Sequence, residues 1–365
     1  MFTDVLILAG GVGERLWPAS TIEKPKQFIR LFGGVSFFQE TLRRAFLLDV
    51  PGKIIIITRK NWIHLVLEDI QALMETDTGD KKIPPDKLVV IGEPCGKNTA
   101  PALALVSRYL LDARKNNAES DVPNVLVFPS DHIITGMDNF LADVETASGF
   151  SAQNNIIVFG IPPHSPETGF GYMEAGESTD NKEVYKIASF KEKPDANTAA
   201  EYVSSGAYYW NSGIYGFRAD FYLRELSEYA PDVFRAFDIN TKDIQADNNG
   251  YAYILRDSDI IDTAYKNAPS ISIDYAVSEK SEKVVMVKAA FGWDDAGTWD
   301  SVSKYEEAAF GLFGETDSKN NFVCSDVPVA LCGVENLCVI IKNGRALVMK
   351  KGHGNEIKKI LEKGV

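Results

Sequence analysis

The 365-residue sequence has few cysteines and few histidines, four of each. The cysteines form no Cys-x-x-Cys pair, so we expect buried thiols in a reducing compartment rather than disulfides. The histidines show no metal-ligand spacing, which argues against a zinc site. The cysteines are Cys95, Cys324, Cys332 and Cys338, and the histidines are His64, His132, His164 and His353.

An excess of positive charge is also missing, since the net charge is −13. Nucleic-acid binding depends on basic surface that neutralises phosphates, so we expect no nucleic-acid partner. No apolar run reaches the length of a membrane span, and the first residues lack the basic region with which signal peptides begin. We therefore expect a cytoplasmic protein without a membrane partner. Locally placed cations can still bind a nucleotide in an acidic protein.

The sequence does contain a glycine-rich turn directly after its first apolar run, residues 5–9, which predicts a strand buried on both faces. Arg15 and Lys26 add positive charge near this turn. Converging backbone N–H groups and nearby cations are typical of anion sites, although a tight turn without a ligand is the alternative. The turn differs from a P-loop and from a dinucleotide-binding fingerprint, because Gly-Lys-Ser/Thr is absent and Leu16 replaces a glycine. Its glycines are Gly10, Gly11 and Gly13.

Strands alternate with helices through the first 160 residues, which predicts an α/β fold: a Rossmann-like mixed, mainly parallel sheet flanked by helices. From about residue 162, short aromatic strands are expected to extend the sheet and to enclose a pocket. From about residue 311, closely spaced short strands predict a small β-rich domain. The predicted domains are therefore 1–305 and 306–365. The C-terminal strands are predicted at 321–325, 329–331, 338–342 and 346–350, followed by a helix near 356–362.

Two acidic positions are candidates for a metal site. Asp131 ends the fourth predicted strand, and ligands of open α/β sheets bind beyond the carboxyl ends of strands. Asp294 and Asp295 lie between Trp293 and Trp299. Helix capping by Asp131 and a capped turn at 294–295 are the alternatives.

Several short polar motifs follow other predicted strands. Glu192 and Lys193 belong to a charged run that is otherwise typical of solvated surface. Asn211 begins an Asn-Ser-Gly sequence, which either binds hydroxyl groups or forms a turn. Glu93 precedes a helix, and its carboxylate suits the adjacent N1–H and N2–H₂ donors of guanine, although a backbone carbonyl suits them equally well.

The first turn, GG-x-G-x-R-L-W-P-x-S followed by P-K-Q-F, resembles the signature of the sugar-nucleotide pyrophosphorylases (nucleotidyltransferases). Its Trp-Pro and PKQF resemble the mannose-1-phosphate guanylyltransferase branch. The resemblance continues in ordered blocks to Trp299. These blocks include E-P-C-G-K-N-T-A-P-A, with Lys97 where arginine is common, E-K-P at 192–194, and W-D-D-x-G-T-W, with Asp294 where serine is usual. Similar enzymes have a left-handed β-helix, or a remnant of one, as their C-terminal domain.

The resemblance implies a role for each group of residues. The residues implied in catalysis are Arg15, Lys26, Asp131, Lys193 and Asp295, with Asp131 and Asp295 as ligands of Mg²⁺. The implied nucleotide-binding residues are Leu8, Ala9, Gly10, Gly11, Gly13, Glu93, Asn98 and Thr99, although Asn98 and Thr99 also suit a helix cap. The implied sugar-binding residues are Gly171, Glu174, Glu192 and Asn211.

The implied reaction converts GTP and mannose 1-phosphate into GDP-mannose and pyrophosphate. A sugar-phosphate oxygen would attack the α-phosphorus of GTP in line, so that positioning and electrostatics would provide the catalysis. A pyrophosphorylase for another sugar, such as heptose or glucose 1-phosphate, or for another nucleoside triphosphate is the nearest alternative. A non-catalytic nucleotide-sugar sensor is the alternative of another class. Whether the protein is a homodimer is left open.

Overall fold

The structure, a computed structural model, describes residues 1–76, 84–114, 122–256, 258–305 and 309–362. Its strands are β1 Asp4–Leu8, β2 Arg30–Phe32, β3 Val35–Ser36, β4 Ile54–Arg59, β5 Leu88–Glu93, β6 Asn124–Pro129, β7 Ile133–Thr135, β8 Ile156–Ile161, β9 Gly171–Ser178, β10 Val184–Glu192, β11 Tyr208–Arg218, β12 Asp247–Asn248, β13 Tyr253–Leu255, β14 Val284–Lys288, β15 Gly292–Asp294, β16 Phe310–Thr316, β17 Phe322–Cys332, β18 Leu337–Lys342 and β19 Arg345–Lys350. Its α-helices are α1 Phe37–Leu47, α2 Ile63–Thr76, α3 Thr99–Arg114, α4 Met137–Ser151, α5 Ala196–Ser205, α6 Ala219–Tyr229, α7 Pro231–Ala236, α8 Asp259–Asn267, α9 Trp299–Val302 and α10 Ile357–Leu361.

An eleven-stranded sheet in the order β12-β13-β5-β4-β1-β6-β11-β8-β14-β10-β9 forms the centre of the molecule. Its first half is parallel from β13 to β6, as the alternation of strands and helices predicts. In its second half β11 runs antiparallel to both neighbours, β6 and β8. The expected mixed α/β fold is therefore present, but the parallel arrangement is confined mainly to the first half.

The central strands are buried on both faces because their side chains are apolar at successive positions. In β1, Val5 and Ile7 belong to one core cluster, whereas Leu6 belongs to the cluster on the opposite face. Helices cover both faces, as expected for strands without a polar alternation. Helix α1 begins at a capping box in which Ser36 and Gln39 satisfy each other's backbone N–H groups.

A separate four-stranded sheet in the order β16-β17-β18-β19 lies near the C-terminus. Strands β16, β17 and β18 are parallel, whereas β18 and β19 form an antiparallel pair. Cys324, Cys338 and Ile340 of this sheet pack in one apolar cluster with Leu16 of the glycine-rich segment and with Trp299. The C-terminal sheet therefore contacts the segment that follows β1.

Some predicted elements differ from those observed. The two strands predicted at 321–325 and 329–331 are one strand, β17. Its residues 322–325 pair with β18 and its residues 329–332 pair with β16, which also pairs with Cys324. The helices α5 and α8 were not predicted. The boundary predicted between 305 and 306 adjoins residues 306–308, which lie outside the described residues.

The prediction of buried thiols is correct for two cysteines and wrong for two. Cys324 and Cys338 are buried, whereas Cys95 and Cys332 are exposed. All four are free thiols. Cys95 and Cys332 are exposed because they lie at or beyond strand ends rather than at inward-facing strand positions.

Among the residues that the structure describes, no helix combines the length and the apolar character needed to cross a bilayer.

Asp4 is the first residue of β1, and its side chain is fully buried. It connects three segments of the chain. Its Oδ1 accepts hydrogen bonds from the backbone N–H of Lys53 at 2.8 Å and from Arg114 Nη2 at 2.8 Å. Its Oδ2 accepts one from the hydroxyl of Thr3 at 2.6 Å. Asp4 thus connects β1 to the segment before β4 and to the end of α3.

Replacing Arg114 with alanine is expected to lower the free energy of unfolding by about 3 kcal/mol, because it leaves a buried carboxylate without its cation. Urea unfolding measures this loss. Arg235→Ala is the matched control, since Arg235 and Asp232 form an ion pair on the exposed surface of α7. That control is expected to cost under about 1 kcal/mol. Equal losses for the two variants would contradict the role assigned to Asp4.

Candidate active site

Lys26 packs directly against the glycine-rich turn. Gly13 has a φ of 68°, and a Cβ atom built there would lie 2.3 Å from Cβ of Lys26. Only glycine therefore permits this close approach. The backbone N–H of Lys26 donates to the carbonyl of Val12 at 3.1 Å, and Gln27 Nε2 donates to the carbonyl of Ala9 at 2.9 Å. The turn is thus fixed against the segment at 25–28.

Lys26 connects the two acidic positions predicted from the sequence. Its side chain is buried, with 3% exposed. Its Nζ lies 2.8 Å from Oδ2 of Asp131 and 2.5 Å from the carbonyl oxygen of Asp295. Arg15 is also close to Asp295, since its Nη2 lies 4.0 Å from Oδ2 of that residue. Four predicted catalytic residues therefore lie together.

Asp131 follows β6 and is held in its charged form by its neighbours. Burial raises the pKa of Asp131, whereas the nearby Lys26 and His132 lower it. The lowering is the larger effect, so the pKa lies below its usual range. Burial is the main cause that lowers the pKa of His132, and it outweighs the carboxylate of Asp131. Nδ1 of His132 accepts a hydrogen bond from Trp293 Nε1 at 3.1 Å. Asp131 is therefore a carboxylate, beside a histidine whose uncharged form is favoured.

Asp294 and Asp295 are adjacent but have different surroundings. Oδ1 of Asp294 accepts hydrogen bonds from the backbone N–H of Ala296 at 2.7 Å and from the hydroxyl of Ser301. Its Oδ2 lies 3.6 Å from Nζ of Lys304. Oδ1 of Asp295 accepts a hydrogen bond from the N–H of Gly297 at 2.9 Å, and its Oδ2 lies 4.0 Å from Nη2 of Arg15. The backbone carbonyl of Asp295 contacts Lys26. Asp294 therefore stabilises the turn, whereas Asp295 faces the cations.

Two cavities meet at Asp295, Phe170 and Trp293. The smaller cavity has a volume of about 290 Å³, and the larger has a volume of about 990 Å³. The predicted residues that line the smaller cavity are Leu8, Thr99, Gly171, Glu192, Asn211 and Asp295. Those that line the larger cavity are Arg15, Lys193 and Asp295. The predicted residues thus divide between two adjoining spaces.

A hydrogen-bonded group at one wall of the smaller cavity includes a residue that the sequence did not indicate. Asn211 Nδ2 donates to Oδ1 of Asp274 at 2.8 Å, and the hydroxyl of Tyr215 donates to the same oxygen at 2.6 Å. Burial, followed by the nearby charge of Asp274, raises the pKa of Tyr215 well above its usual range. Tyr215 is therefore a donor, and it holds the carboxylate of Asp274 at the cavity wall.

Glu192 and Lys193 lie where β10 ends, and they form an ion pair with each other. Lys193 has a φ of 49°, and its backbone N–H donates to the carbonyl of Phe170 at 3.1 Å. A Cβ atom on Gly171 would lie 2.5 Å from Oε2 of Glu192, so this glycine admits the carboxylate. Glu174 lies further along β9, where Ser189 donates to its Oε2 at 2.8 Å. It does not line either cavity.

The segment at 93–99 is near the glycine-rich turn. Thr99 lines the smaller cavity, and its Oγ1 accepts a hydrogen bond from the N–H of Ile273 at 2.8 Å. Asn98 is exposed and has a φ of 68°, and its Oδ1 accepts a bond from the N–H of Thr99 at 2.9 Å. Asn98 and Thr99 therefore organise the start of α3.

Glu93 lies under the glycine-rich turn rather than in the open cavities. It is 5% exposed, and its Oε1 accepts a hydrogen bond from the hydroxyl of Tyr265 at 2.6 Å. Its Oε2 would lie 3.0 Å from a Cβ atom on Gly10. Burial raises the pKa of Glu93 to about 7, against the lowering effects of Tyr265 and Arg59.

Comparison with known proteins adds to this geometry. The family model described as "Nucleotidyl transferase" matches residues 4–309. The chain belongs to the nucleotidyl transferase family. It is 37% identical over 366 residues to the "Mannose-1-phosphate guanylyltransferase" of Klebsiella pneumoniae, in a match that covers 98% of this chain and 73% of the relative.

Solved structures are similar to this nucleotidyl transferase as well. The crystal structure of "mannose-1-phosphate geranyltransferase" from Thermus thermophilus has a TM-score of 0.80 and 26% identity, covering 100% of this chain and 99% of that chain. The structure of "mannose-6-phosphate isomerase" from Helicobacter pylori has a TM-score of 0.63 and 24% identity, covering 80% of this chain and 100% of that chain. The second likeness concerns the fold alone.

Phe170, Trp293 and Asp274 are among the cavity-lining residues of this nucleotidyl transferase that were not predicted as site residues. Phe170 and Trp293 form a T-shaped pair with ring centroids 5.3 Å apart at the junction of the two cavities. Asp274 lies in a π-helical turn, Asp274–Ser278. Trp293 begins the W-D-D-x-G-T-W motif and Phe170 directly precedes Gly171, whereas no signal in the sequence marked Asp274.

Glu93 makes the stability of the nucleotidyl transferase depend on pH. Its pKa is about 7 when folded and close to 4.5 when unfolded, so the folded state binds the proton more tightly. Its stabilising effect is complete below pH 4.5, and about 3 kcal/mol is lost as the pH rises through 7. Glu93→Gln removes this loss. Urea unfolding measures this effect. The free energy of unfolding of the variant, relative to that of the wild type, is expected to increase by about 3 kcal/mol between pH 4.5 and pH 8.

Tyr265→Phe provides a second variant for this measurement. It removes a donor that favours the carboxylate, so the fall in stability is expected to move to higher pH. Parallel pH profiles for the wild type and Glu93→Gln would show that Glu93 has no such effect.

Proposed function

We propose that this chain is a mannose-1-phosphate guanylyltransferase, which forms GDP-mannose and pyrophosphate from GTP and mannose 1-phosphate. The observation that supports the proposal most strongly is the contact of Lys26 with both Asp131 and Asp295 beneath a glycine-rich turn. The similarity to mannose-1-phosphate guanylyltransferases over 98% of the chain supports the choice of substrates.

The attacking oxygen of a sugar phosphate is already an anion, so the reaction needs no general base. His132 has no free lone pair for such a role, because its Nδ1 accepts a hydrogen bond from Trp293 and Nε2 of the uncharged ring carries the proton. The main difficulty is to bring two polyanions together. Positioning and positive charge therefore supply the catalysis.

The cations are divided between the two substrates. Arg15, Lys26 and the amides of the turn at 10–13 would bind the triphosphate, because they surround the end of β1. Lys193, which also lines the larger cavity, would bind the sugar phosphate. Since attack in line requires the two phosphates to meet, the junction of the cavities at Asp295 is the proposed place of reaction.

The carboxylates of Asp131 and Asp295 fit a magnesium ion. They are hard oxygen ligands. The carboxylate of Asp131 and the backbone carbonyl of Asp295 contact the same ammonium group, that of Lys26, so the two residues lie close together. Among the described residues no group of three His, Cys, Asp or Glu side chains forms a metal site, so phosphate oxygens and water would complete the coordination. When bound, magnesium would neutralise charge on the phosphates.

The smaller cavity is proposed to bind the mannosyl group. Asn211 and Glu192 provide polar groups at its wall, and Gly171 leaves room beside Glu192. Phe170 and Trp293 provide apolar surface at its mouth. A contact of Glu174 with the sugar remains a prediction, because its carboxylate is bonded to Ser189 outside this cavity.

The nucleoside is proposed to lie near Leu8, Asn98 and Thr99. Leu8 and Thr99 line the smaller cavity, and the carbonyl of Leu8 accepts a bond from the N–H of Ser130 at 3.1 Å. The carbonyl of Ala9 accepts bonds from Gln27 and Thr58, which fixes the backbone beside Gly10 and Gly11. The burial of Glu93 favours support of this backbone, whereas its contact with guanine remains a prediction.

The division into a catalytic domain, 1–305, and a small C-terminal domain, 306–365, is also a proposal. It is supported by the separation of the strands into an eleven-stranded and a four-stranded sheet. The parallel pairing of β16, β17 and β18 supports a remnant of a β-helix, whereas its left-handed sense remains a prediction.

The first experiment measures pyrophosphate release with Mg²⁺, crossing four nucleoside triphosphates with mannose, glucose and heptose 1-phosphates. Release that is fastest with GTP and mannose 1-phosphate is expected. Release with GTP and another sugar would replace the proposed sugar but keep the chemistry. No release with any pair would overturn the proposal and favour a nucleotide-sugar sensor.

Asp295→Asn is expected to lower turnover by roughly 10²–10³-fold, because it removes one charged group that acts on the reacting phosphates. Asp294→Asn is the matched control, since an amide oxygen can still accept from Ala296 and Ser301. The control is expected to remain near wild-type turnover. Steady-state pyrophosphate release measures both, and near-wild-type turnover of Asp295→Asn would refute the role of Asp295.

A further inference from the structure

The chain returns to the candidate active site close to its C-terminus. After β19 a turn, 351–356, leads into α10, and Gly352, Asn355 and Lys358 line the larger cavity. The same cavity is lined by Arg15, Lys193 and Asp295. A segment outside the matched family region, 4–309, therefore forms part of its wall.

Asp300 fixes this turn to the rest of the site. Its Oδ1 accepts a hydrogen bond from the N–H of Gly352 at 2.7 Å, and its Oδ2 accepts one from the N–H of Gly354 at 2.7 Å. A Cβ atom on Gly354 would lie 2.8 Å from Oδ2 of Asp300 and 2.8 Å from Cβ of Thr298. The turn therefore packs tightly against the residues that follow Asp295.

Helix α10 is held by its apolar side. Ile357 is buried in the cluster that contains Leu16 and Trp299. The helix lies against the turn Glu14–Leu16, so it is on the Arg15 side of the cavity. Since Ile357 fixes the helix, the next residue, Lys358, has a defined position at the cavity wall.

Asn355 makes a direct contact with a predicted catalytic residue. Arg15 Nη1 donates to Oδ1 of Asn355 at 3.2 Å. The other amino group of Arg15 is 4.0 Å from Asp295. Arg15 is thus held between the C-terminal turn and the acidic loop.

Lys358 differs from the other lysines at this cavity. Lys193 is paired with Glu192, and Lys304 lies 3.6 Å from Asp294. Among the described residues, the Lys358 side chain has no hydrogen-bond or ion-pair partner. Its positive charge is therefore not neutralised by a described carboxylate, and it lines a cavity in which phosphates are expected.

We propose that Lys358 binds the pyrophosphate portion of the nucleotide, its β- and γ-phosphates, both in GTP and in the released product. The inference rests on the proposed function for the identity of the reaction. Pyrophosphate is assigned rather than the sugar phosphate because α10 contacts the turn Glu14–Leu16, which carries Arg15 and directly follows the glycine-rich turn, whereas Lys193 follows β10. Asn355 acts as a positioning residue that orients Arg15 towards the same phosphates.

The test uses the full chain in the reverse direction, in which GDP-mannose and pyrophosphate form GTP and mannose 1-phosphate. Lys358→Ala is expected to raise the KM for pyrophosphate about tenfold, as for loss of one charge-assisted contact, and to leave the KM for GDP-mannose nearly unchanged. Lys358→Arg keeps the charge and is expected to restore most of the affinity. Lys359→Ala is the matched control, because Lys359 is the exposed neighbour that does not line the cavity.

Calorimetric titration with inorganic pyrophosphate separates this inference from the proposed function. Weaker pyrophosphate binding by Lys358→Ala than by Lys359→Ala supports the role of Lys358, even where the wild type shows no turnover. Absence of turnover would refute only the proposed reaction. Equal pyrophosphate binding by the two variants would overturn the inference. So would an equal rise in the KM values for pyrophosphate and GDP-mannose, or a wild type that binds no pyrophosphate.

Discussion

The candidate site depends on one buried ammonium group, that of Lys26. It connects the segment after the glycine-rich turn with the end of β6 through Asp131 and with the loop after β15 through Asp295. These segments are far apart in the sequence, and a lysine with 3% exposure is costly to bury without partners. The carboxylate and the carbonyl offset that cost. The same contacts hold the groups proposed to bind phosphate and metal within one small region.

The glycines of the first turn are part of this constraint rather than a separate feature. Gly13 permits the backbone to pass against Lys26, and Gly10 leaves space above the buried carboxyl of Glu93. A larger residue at Gly13 would move the lysine and so disturb both acidic segments. The turn, the cation and the acidic loops therefore form one connected group. The aromatic pair of Phe170 and Trp293 adjoins it, since Trp293 directly precedes Asp294 and Asp295.

Much of the fold was predictable because the central strands are continuously apolar. The observed β1, Asp4–Leu8, agrees with the strand predicted at 5–9 to within one residue at each end. Helix α5 was missed because Ala199 is its only buried residue, so its apolar pattern is weak. The break predicted within β17 has a physical origin, since its residues 322–325 pair with β18 and its residues 329–332 pair with β16. Pairing of this kind depends on distant segments and leaves no local pattern.

The predicted site residues that lie together were those in long motifs, such as Arg15, Lys26 and Asp295. Asp274 was missed because its environment comes from Asn211 and Tyr215, which are on another strand. Lys358 was missed because nothing local distinguishes it from Lys359.

The apolar cluster around Leu16, Trp299 and Cys338 has a consequence for any shortened form of the protein. A chain that stopped at residue 309 would retain the whole matched family region, but it would expose the apolar residues on which the C-terminal sheet rests. Exposed patches of this kind promote self-association. The C-terminal sheet therefore also shields these apolar residues from water and so favours solubility. We expect the matched family region and the C-terminal sheet to be retained together in related chains.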